Sequence, residues 1–186
     1  MFDEMIVEFC SPTLAGIKTG NLFSYEYCDY NQFVKDVRRV NIILLKKGIE
    51  LIPIRCLNHR ALIYIFRPSF LEKDFCDKDT SQLLKELGYD TLNTAACVRC
   101  LSNKINTINS SKEFPHEIGL FLGYPVEDVK GFIKYKGECS KCIGCWKVYG
   151  DVMKAEDTFD RYKKCTNDYM ARFKQGTTLD QLAVCA

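Results

Sequence analysis

The sequence contains no apolar run of the roughly 18 residues that a membrane-spanning helix needs, so a helical span is excluded. It also has little charge of either sign to spare. The formal net charge is +2, which argues against a nucleic-acid binder that works through bulk electrostatics. The opening MFDEMIVEFC places acids where a secretory signal requires positive charge, so a cytoplasmic protein is expected. Internal repeats, low-complexity tracts and convincing linkers are absent. A glycine-rich phosphate loop is absent too, because GLFLGYP lacks the strand, the spacing and the lysine that such a loop uses. Histidine is limited to His59 and His116. No fully specified catalytic motif occurs. With 47% hydrophobic residues the chain is too apolar for disorder, and its 186 residues suit one domain.

What the chain does have in excess is cysteine, with eleven residues. An odd number in a chain without an export signal argues against a disulfide framework and for reduced thiols. A reducing, oxygen-poor cell would tolerate most of them without a specific role.

Periodicity predicts the elements. Phe2, Met5, Ile6 and Phe9 have helical spacing, and Pro12 is expected to break that helix at Cys10-Ser11-Pro12-Thr13. The Gly-bearing stretch from Leu14 to Tyr27 has no clear period. Asp29 or Asn31 caps a helix through Lys47, with Phe33, Val37, Val40 and Leu44 on one face and Gly48 at its end. Leu51 to Leu57 and Arg60 to Arg67 read as a hairpin turning at Asn58-His59. The second strand is apolar on both faces, so it is expected to lie centrally in its sheet. Further helices are expected at 70–75, 81–87 capped by Thr80, and 91–108 with Leu92, Ala95, Val98, Leu101, Ile105 and Ile108 as the stripe. A loop at Asn109–Lys112 follows. Short helices over 118–122 and 126–135, a strand over 145–149 and a long helix over 151–175 complete the reading. The sum is one α+β domain over residues 1–186, a small, mainly antiparallel sheet covered by helices.

FPHEIGLFLGYPVEDVKGFI (114 to 133), WKVYGD (146 to 151) and CSPTLAGIKTGNLFS (10 to 24) are distinctive, as are RALIYIFRP and YKKCTNDY. Together they resemble a family of small cytosolic proteins of anaerobic bacteria, classed as a domain of unknown function. The resemblance spans nearly the whole chain and implies a single-domain cytosolic protein. It implies proximity to iron-acquisition and flavodoxin genes, and it supplies no activity or site.

Four constellations could carry chemistry. Cys139-Ser-Lys-Cys142-Ile-Gly-Cys145 places three thiolates in tandem CxxC steps, a spacing that suits zinc or an iron–sulfur cluster. A fourth ligand would have to come from elsewhere: Cys97 or Cys100, Cys165, His116, or an exogenous group. The plain alternative is a cysteine-rich loop. Cys97-Val-Arg-Cys100 adds a second CxxC, but inside a helix, where two thiols at i and i+3 more often pack as small hydrophobes. Cys10 and His116 could form a nucleophile and base if they meet in space; the plain alternative is that His116, after Pro115, serves only a helix start. Lys35, Arg38, Arg39, Lys46 and Lys47 read as a solvated helix face. The expectation for function is a thiol-rich protein holding zinc or an iron–sulfur centre at Cys139, Cys142 and Cys145, in redox or iron physiology. Two alternatives stand beside it. One is an enzyme using Cys10 and His116. The other is a metal-free module that presents FPHEIGLFLGYP to a protein partner.

Overall fold

A computed structural model describes residues 1–107 and 114–185. The fold class is α+β, and the chain divides into two compact units, residues 1–69 with 162–186 and residues 70–161.

The first unit begins with α1, Phe2–Leu14, which runs through Pro12 instead of stopping before it. A proline deletes its own amide and orphans the carbonyl four residues back. Here that residue is Glu8, which is exposed, so its carbonyl lies on the solvent side of the helix, where losing one intrahelical bond costs least. Gly16, at φ 69°, ends the helix in the left-handed region, and Ile17 N donates to Pro12 O at 3.0 Å. β1, Gly20–Glu26, follows in the stretch without a clear period. Its adjacent Leu22 and Phe23 break the strict alternation that marks a strand.

α2, Tyr30–Leu45, is capped by Asp29, whose side chain accepts from Asn31 N at 2.8 Å. Phe33, Val40 and Leu44 are buried on its inner face, and Lys35, Arg38, Arg39 and Lys46 are exposed as expected. The hairpin forms from β2, Glu50–Leu57, and β3, Arg60–Phe66. Asn58 and His59 adopt φ of 49° and 59°, the pair of positive values that a tight type I′ turn demands. β3 is central in an antiparallel sheet ordered β1-β3-β2. Pro53 sits on the edge strand β2, where a missing amide does no harm, next to a register shift between Pro53 and Arg55. Ala61, Ile63 and Ile65 enter the core with Phe2, Ile6 and Leu44. On the opposite face Tyr64 and Phe66 are buried and stack with centroids 4.5 Å apart.

Arg67, directly after β3, is 0% exposed. Its guanidinium donates to Thr13 O (2.8 Å), Leu14 O (2.9 Å), Lys47 O (3.2 Å) and Val184 O (2.8 Å). These carbonyls lie at or just past helix ends, where acceptors lack helical partners and carry partial negative charge.

In the remaining chain, α3, Pro68–Phe75, opens on proline, the residue that fits a first helical turn. α4, Lys78–Glu86, is capped by Asp77 and not by Thr80, whose amide is the donor to that cap at 2.9 Å. α5, Thr94–Asn106, starts after Asn93, so the buried stripe is Cys97, Val98, Leu101 and Ile105. Leu92, expected on that stripe, precedes the helix and is 94% exposed, and Ala95 is exposed as well. Ile108 and the loop expected at Asn109–Lys112 lie outside the described residues. α6, Ile118–Phe121, and α7, Val126–Tyr135, lead into a small hairpin of β4, Cys142–Ile143, and β5, Lys147–Val148. α8, Val152–Lys174, carries a face of Ala155, Phe159, Tyr162, Tyr169 and Phe173 that is at least partly buried along its length. α9, Leu179–Leu182, was not foreseen, and Thr178 and Gln181 close its first turn as a capping box. Among the described residues no helix is long and apolar enough to cross a membrane.

Candidate functional site

The second unit brings two of the distinctive motifs, FPHEIGLFLGYPVEDVKGFI and WKVYGD, together through one carboxylate. Asp128, in the first turn of α7, is only 3% exposed. Its Oδ2 accepts from the Trp146 indole Nε1 at 2.7 Å, and its Oδ1 accepts from Tyr149 N and Gly150 N, both at 2.7 Å. A buried carboxylate is stable when its lone pairs are filled this way, and bonds to a charged acceptor are the strong ones. The WKVYGD segment is thereby fixed against α7.

Glycines permit the close approach. A Cβ at Gly131, within α7, would lie 2.4 Å from Tyr149 Cγ. One at Gly144, in the hairpin turn, would lie 2.2 Å from Phe159 Cδ2. These two positions need glycine for space, since neither has a positive φ.

Between α6, α7 and the β4–β5 hairpin lies a cavity of about 330 Å³. Four rings wall it: His116, Tyr124, Phe132 and Trp146. His116 sits 4.8 Å from Phe132 by ring centroids, and Tyr124 stacks on Trp146 at 4.8 Å. Trp146 in turn meets Phe159 edge-on at 4.5 Å. Ile118, Val129 and Ile143 add aliphatic surface, while Cys145 and Lys147 bring polar atoms. The Lys147 ammonium donates to Gly137 O at 2.6 Å. His116 makes no side-chain hydrogen bond among the described residues, so its ring nitrogens face no competing partner there. Chemically the cavity offers flat apolar walls, one imidazole and one thiol.

Behind α6, a buried polar cluster braces the FPHEIG segment. Glu117 accepts from Tyr89 Oη at 3.0 Å and from Lys104 Nζ at 2.9 Å, and Lys104 also donates to Leu87 O at 2.9 Å. Burial pushes the Glu117 carboxyl up, but the Lys104 hydrogen bond and charge outweigh it and leave the pKa below the ordinary value. Burial and the adjacent Glu117 charge push the Tyr89 phenol far above its usual range. A wider concavity, about 840 Å³, opens at the tip of the β2–β3 hairpin, where polar side chains such as Arg55, His59 and Arg60 dominate.

The residues singled out from sequence are dispersed. Cys10 lies in the first unit, 0% exposed within its core. It occupies the C-terminal half of α1, and burial drives its thiol pKa well above the ordinary value, which disfavours the thiolate a nucleophile needs. His116 lies in the second unit on the cavity wall. Cys97 is buried in α5, its thiol 3.0 Å from Asp90 O and pushed up by burial to about 11, while Cys100 is half-buried. Cys139 is exposed at φ 57°, Cys142 is half-buried in β4, and Cys145 is exposed at the hairpin turn. Cys165 packs against the core of the first unit. Among the described residues, no group of three or more His, Cys, Asp and Glu side chains is disposed to hold a metal ion. What the structure does bring to one cavity is His116 and Cys145.

Asp128, Trp146 and Phe132 were not foreseen as site residues. Asp128 reads in sequence only as an acid at a helix start. The available signal was Gly131, a glycine inside a helical pattern with no turn to explain it.

No curated protein and no solved structure matches the chain. The family described as "Protein of unknown function (DUF3793)" matches residues 6–183, and the chain belongs to that family.

Proposed function

We propose that the protein binds a small, flat, mainly apolar molecule in the cavity between α6, α7 and the β4–β5 hairpin. The observation that carries this reading is the wall of four aromatic rings around about 330 Å³. That volume falls at the lower end of small-molecule sites, roughly 300–1,000 Å³. Apolar walls with a few convergent polar groups are the usual composition of such sites, and stacking on ring walls favours planar ligands. The Asp128 bonds hold Trp146 in place before any ligand arrives, which reduces the ordering cost of binding. A zinc or iron–sulfur centre at Cys139, Cys142 and Cys145 has less support, because among the described residues no three such side chains are grouped to hold a metal ion.

Trp146 is the single tryptophan of the chain, so its fluorescence reports on the cavity alone. Titration with 2-naphthol, a flat two-ring probe, is expected to change that fluorescence saturably with one site. Ile143→Glu should weaken binding severalfold by putting charge on the apolar lip, at a position exposed enough to tolerate it. No saturable change with naphthol, indole or quinoline up to millimolar concentration would overturn the reading.

A further inference from the structure

The same cavity has a nucleophile at its mouth. Of the three tandem cysteines, Cys145 is the one that lines the cavity. It is exposed at the turn of the β4–β5 hairpin, between Gly144 and Trp146. The turn is held by Gly144 N donating to Trp146 O at 3.0 Å. Tyr124 Oη donates to Cys145 O at 3.3 Å, which ties the backbone at the thiol to the ring wall. Gly144 lets this turn settle against Phe159. His116 lines the same cavity, half-buried against Phe132, and imidazole is the side chain most used to take a proton from a thiol.

We infer that Cys145 and His116 form a thiol–imidazole pair that captures planar, aromatic, α,β-unsaturated carbonyl compounds bound in the cavity. The inference rests on the proposed ligand site and adds a reaction to it. His116 takes the proton from Cys145 Sγ. The sulfur electron pair forms a C–S bond to the β-carbon of the ligand, and the C=C π bond breaks toward the α-carbon. The imidazolium then returns the proton to that α-carbon. The product is a thioether, and no oxidant or reductant is consumed. The ring walls select the aromatic part of the ligand, and binding places the β-carbon at the thiol, so proximity supplies much of the acceleration.

The test compares, within each of two maleimides that undergo the same addition, the preference for Cys145 over the other cysteines. Intact protein is treated with substoichiometric N-phenylmaleimide or N-ethylmaleimide, and the labelled cysteines are mapped by peptide mass spectrometry. The phenyl reagent should label Cys145 ahead of exposed Cys28, Cys56, Cys76, Cys139 and Cys185, with a preference at least about fivefold larger than the ethyl reagent shows. His116→Gln should slow labelling of Cys145 by iodoacetamide by about tenfold or more, and leave Cys76 unchanged. If that variant unfolds, the pH profiles of Cys145 and Cys76 labelling in the wild type replace it, and Cys145 should be the one that reacts at lower pH. Labelling of Cys145 no faster than Cys76 by the phenyl reagent, or coincident pH profiles, would overturn the inference. The naphthol titration separates the two failures. Naphthol binding without Cys145 preference removes the reaction alone, and absence of both removes the ligand site as well.

Discussion

Replacing Asp128 with alanine is the sharpest test of how the second unit is held together. The change removes an acceptor that serves three donors, Trp146 Nε1, Tyr149 N and Gly150 N, all at 2.7 Å. Hydrogen bonds to a charged group contribute about 1.5–3 kcal/mol each, and a buried donor left unpaired incurs a similar penalty. The donors are only partly buried, so water can recover some of the loss. The lower end of the sum applies, about 4 kcal/mol. For a chain of this length each kcal/mol moves the melting temperature by about 2–4 °C, so a fall of roughly 8–16 °C is expected in a circular-dichroism melt. Trp146 emission should shift to longer wavelength at the same time, because the indole loses its anchor. Asp128→Asn should fall between, since its carbonyl oxygen can still serve the two backbone amides while its NH₂ group opposes the indole N–H. A melting temperature within about 2 °C of wild type for the alanine variant, with unshifted emission, would refute the role assigned to Asp128.

Other outcomes follow from the same contacts. Gly131→Ala would raise helix propensity by about 1 kcal/mol in an open helix, but the new Cβ lies 2.5 Å from Tyr149 Cβ, an atom close to the backbone that cannot swing away. Overpacking of about 1–3 kcal/mol wins, and a thermal melt should show destabilisation, not the usual gain. Tyr149→Phe should raise the melting temperature by roughly 2 °C, because the Tyr149 hydroxyl is buried without a hydrogen-bond partner among the described residues; a loss would show that the hydroxyl is satisfied in solution. Cys97 and Cys165 have thiols raised by burial to about 11. Folding therefore favours their protonated forms, a contribution complete below pH about 9 and lost as pH climbs through 11. Melts between pH 8 and 11 should show a shallower alkaline loss in the Cys97→Ala, Cys165→Ala double variant than in wild type, and equal slopes would contradict the assignment.

Local signals in the sequence were readable where they are self-contained. Asn58-His59 marks its own turn, the apolar run of β3 marks a central strand, and the stripe Phe33, Val40, Leu44 marks the inner face of α2. β1 was not readable, because its pairing with β3 and not its own alternation makes it a strand. Pro12 misled in a way that mattered for the site. A break there would have exposed Cys10, whereas the continuing helix carries it into the core. His116 and Cys145 could both be named as chemically capable, but not as neighbours of one cavity. That depends on Asp128 reaching residues 18 to 22 positions away, which no local pattern encodes. The tandem CxxC spacing likewise specifies what a flexible loop could ligate. In the folded chain the β4–β5 pairing sets where those thiols point.

Arg67 has a consequence for the order in which the chain takes shape during synthesis. One of its carbonyl partners, Val184 O, lies 117 residues downstream. A ribosome releases Arg67 long before that partner, so for most of translation the guanidinium has an incomplete set of acceptors, and sealing it in the core would leave a buried donor unmatched. The intervening stretch, residues 70–161, is continuous and emerges as a whole before the closing segment does. Multi-part proteins usually consolidate from the N-terminus onward as they are made. Here the earliest residues must wait for the latest, and the nascent N-terminal sheet is left open to chaperones, or to mispairing, until the α9 segment arrives to close it.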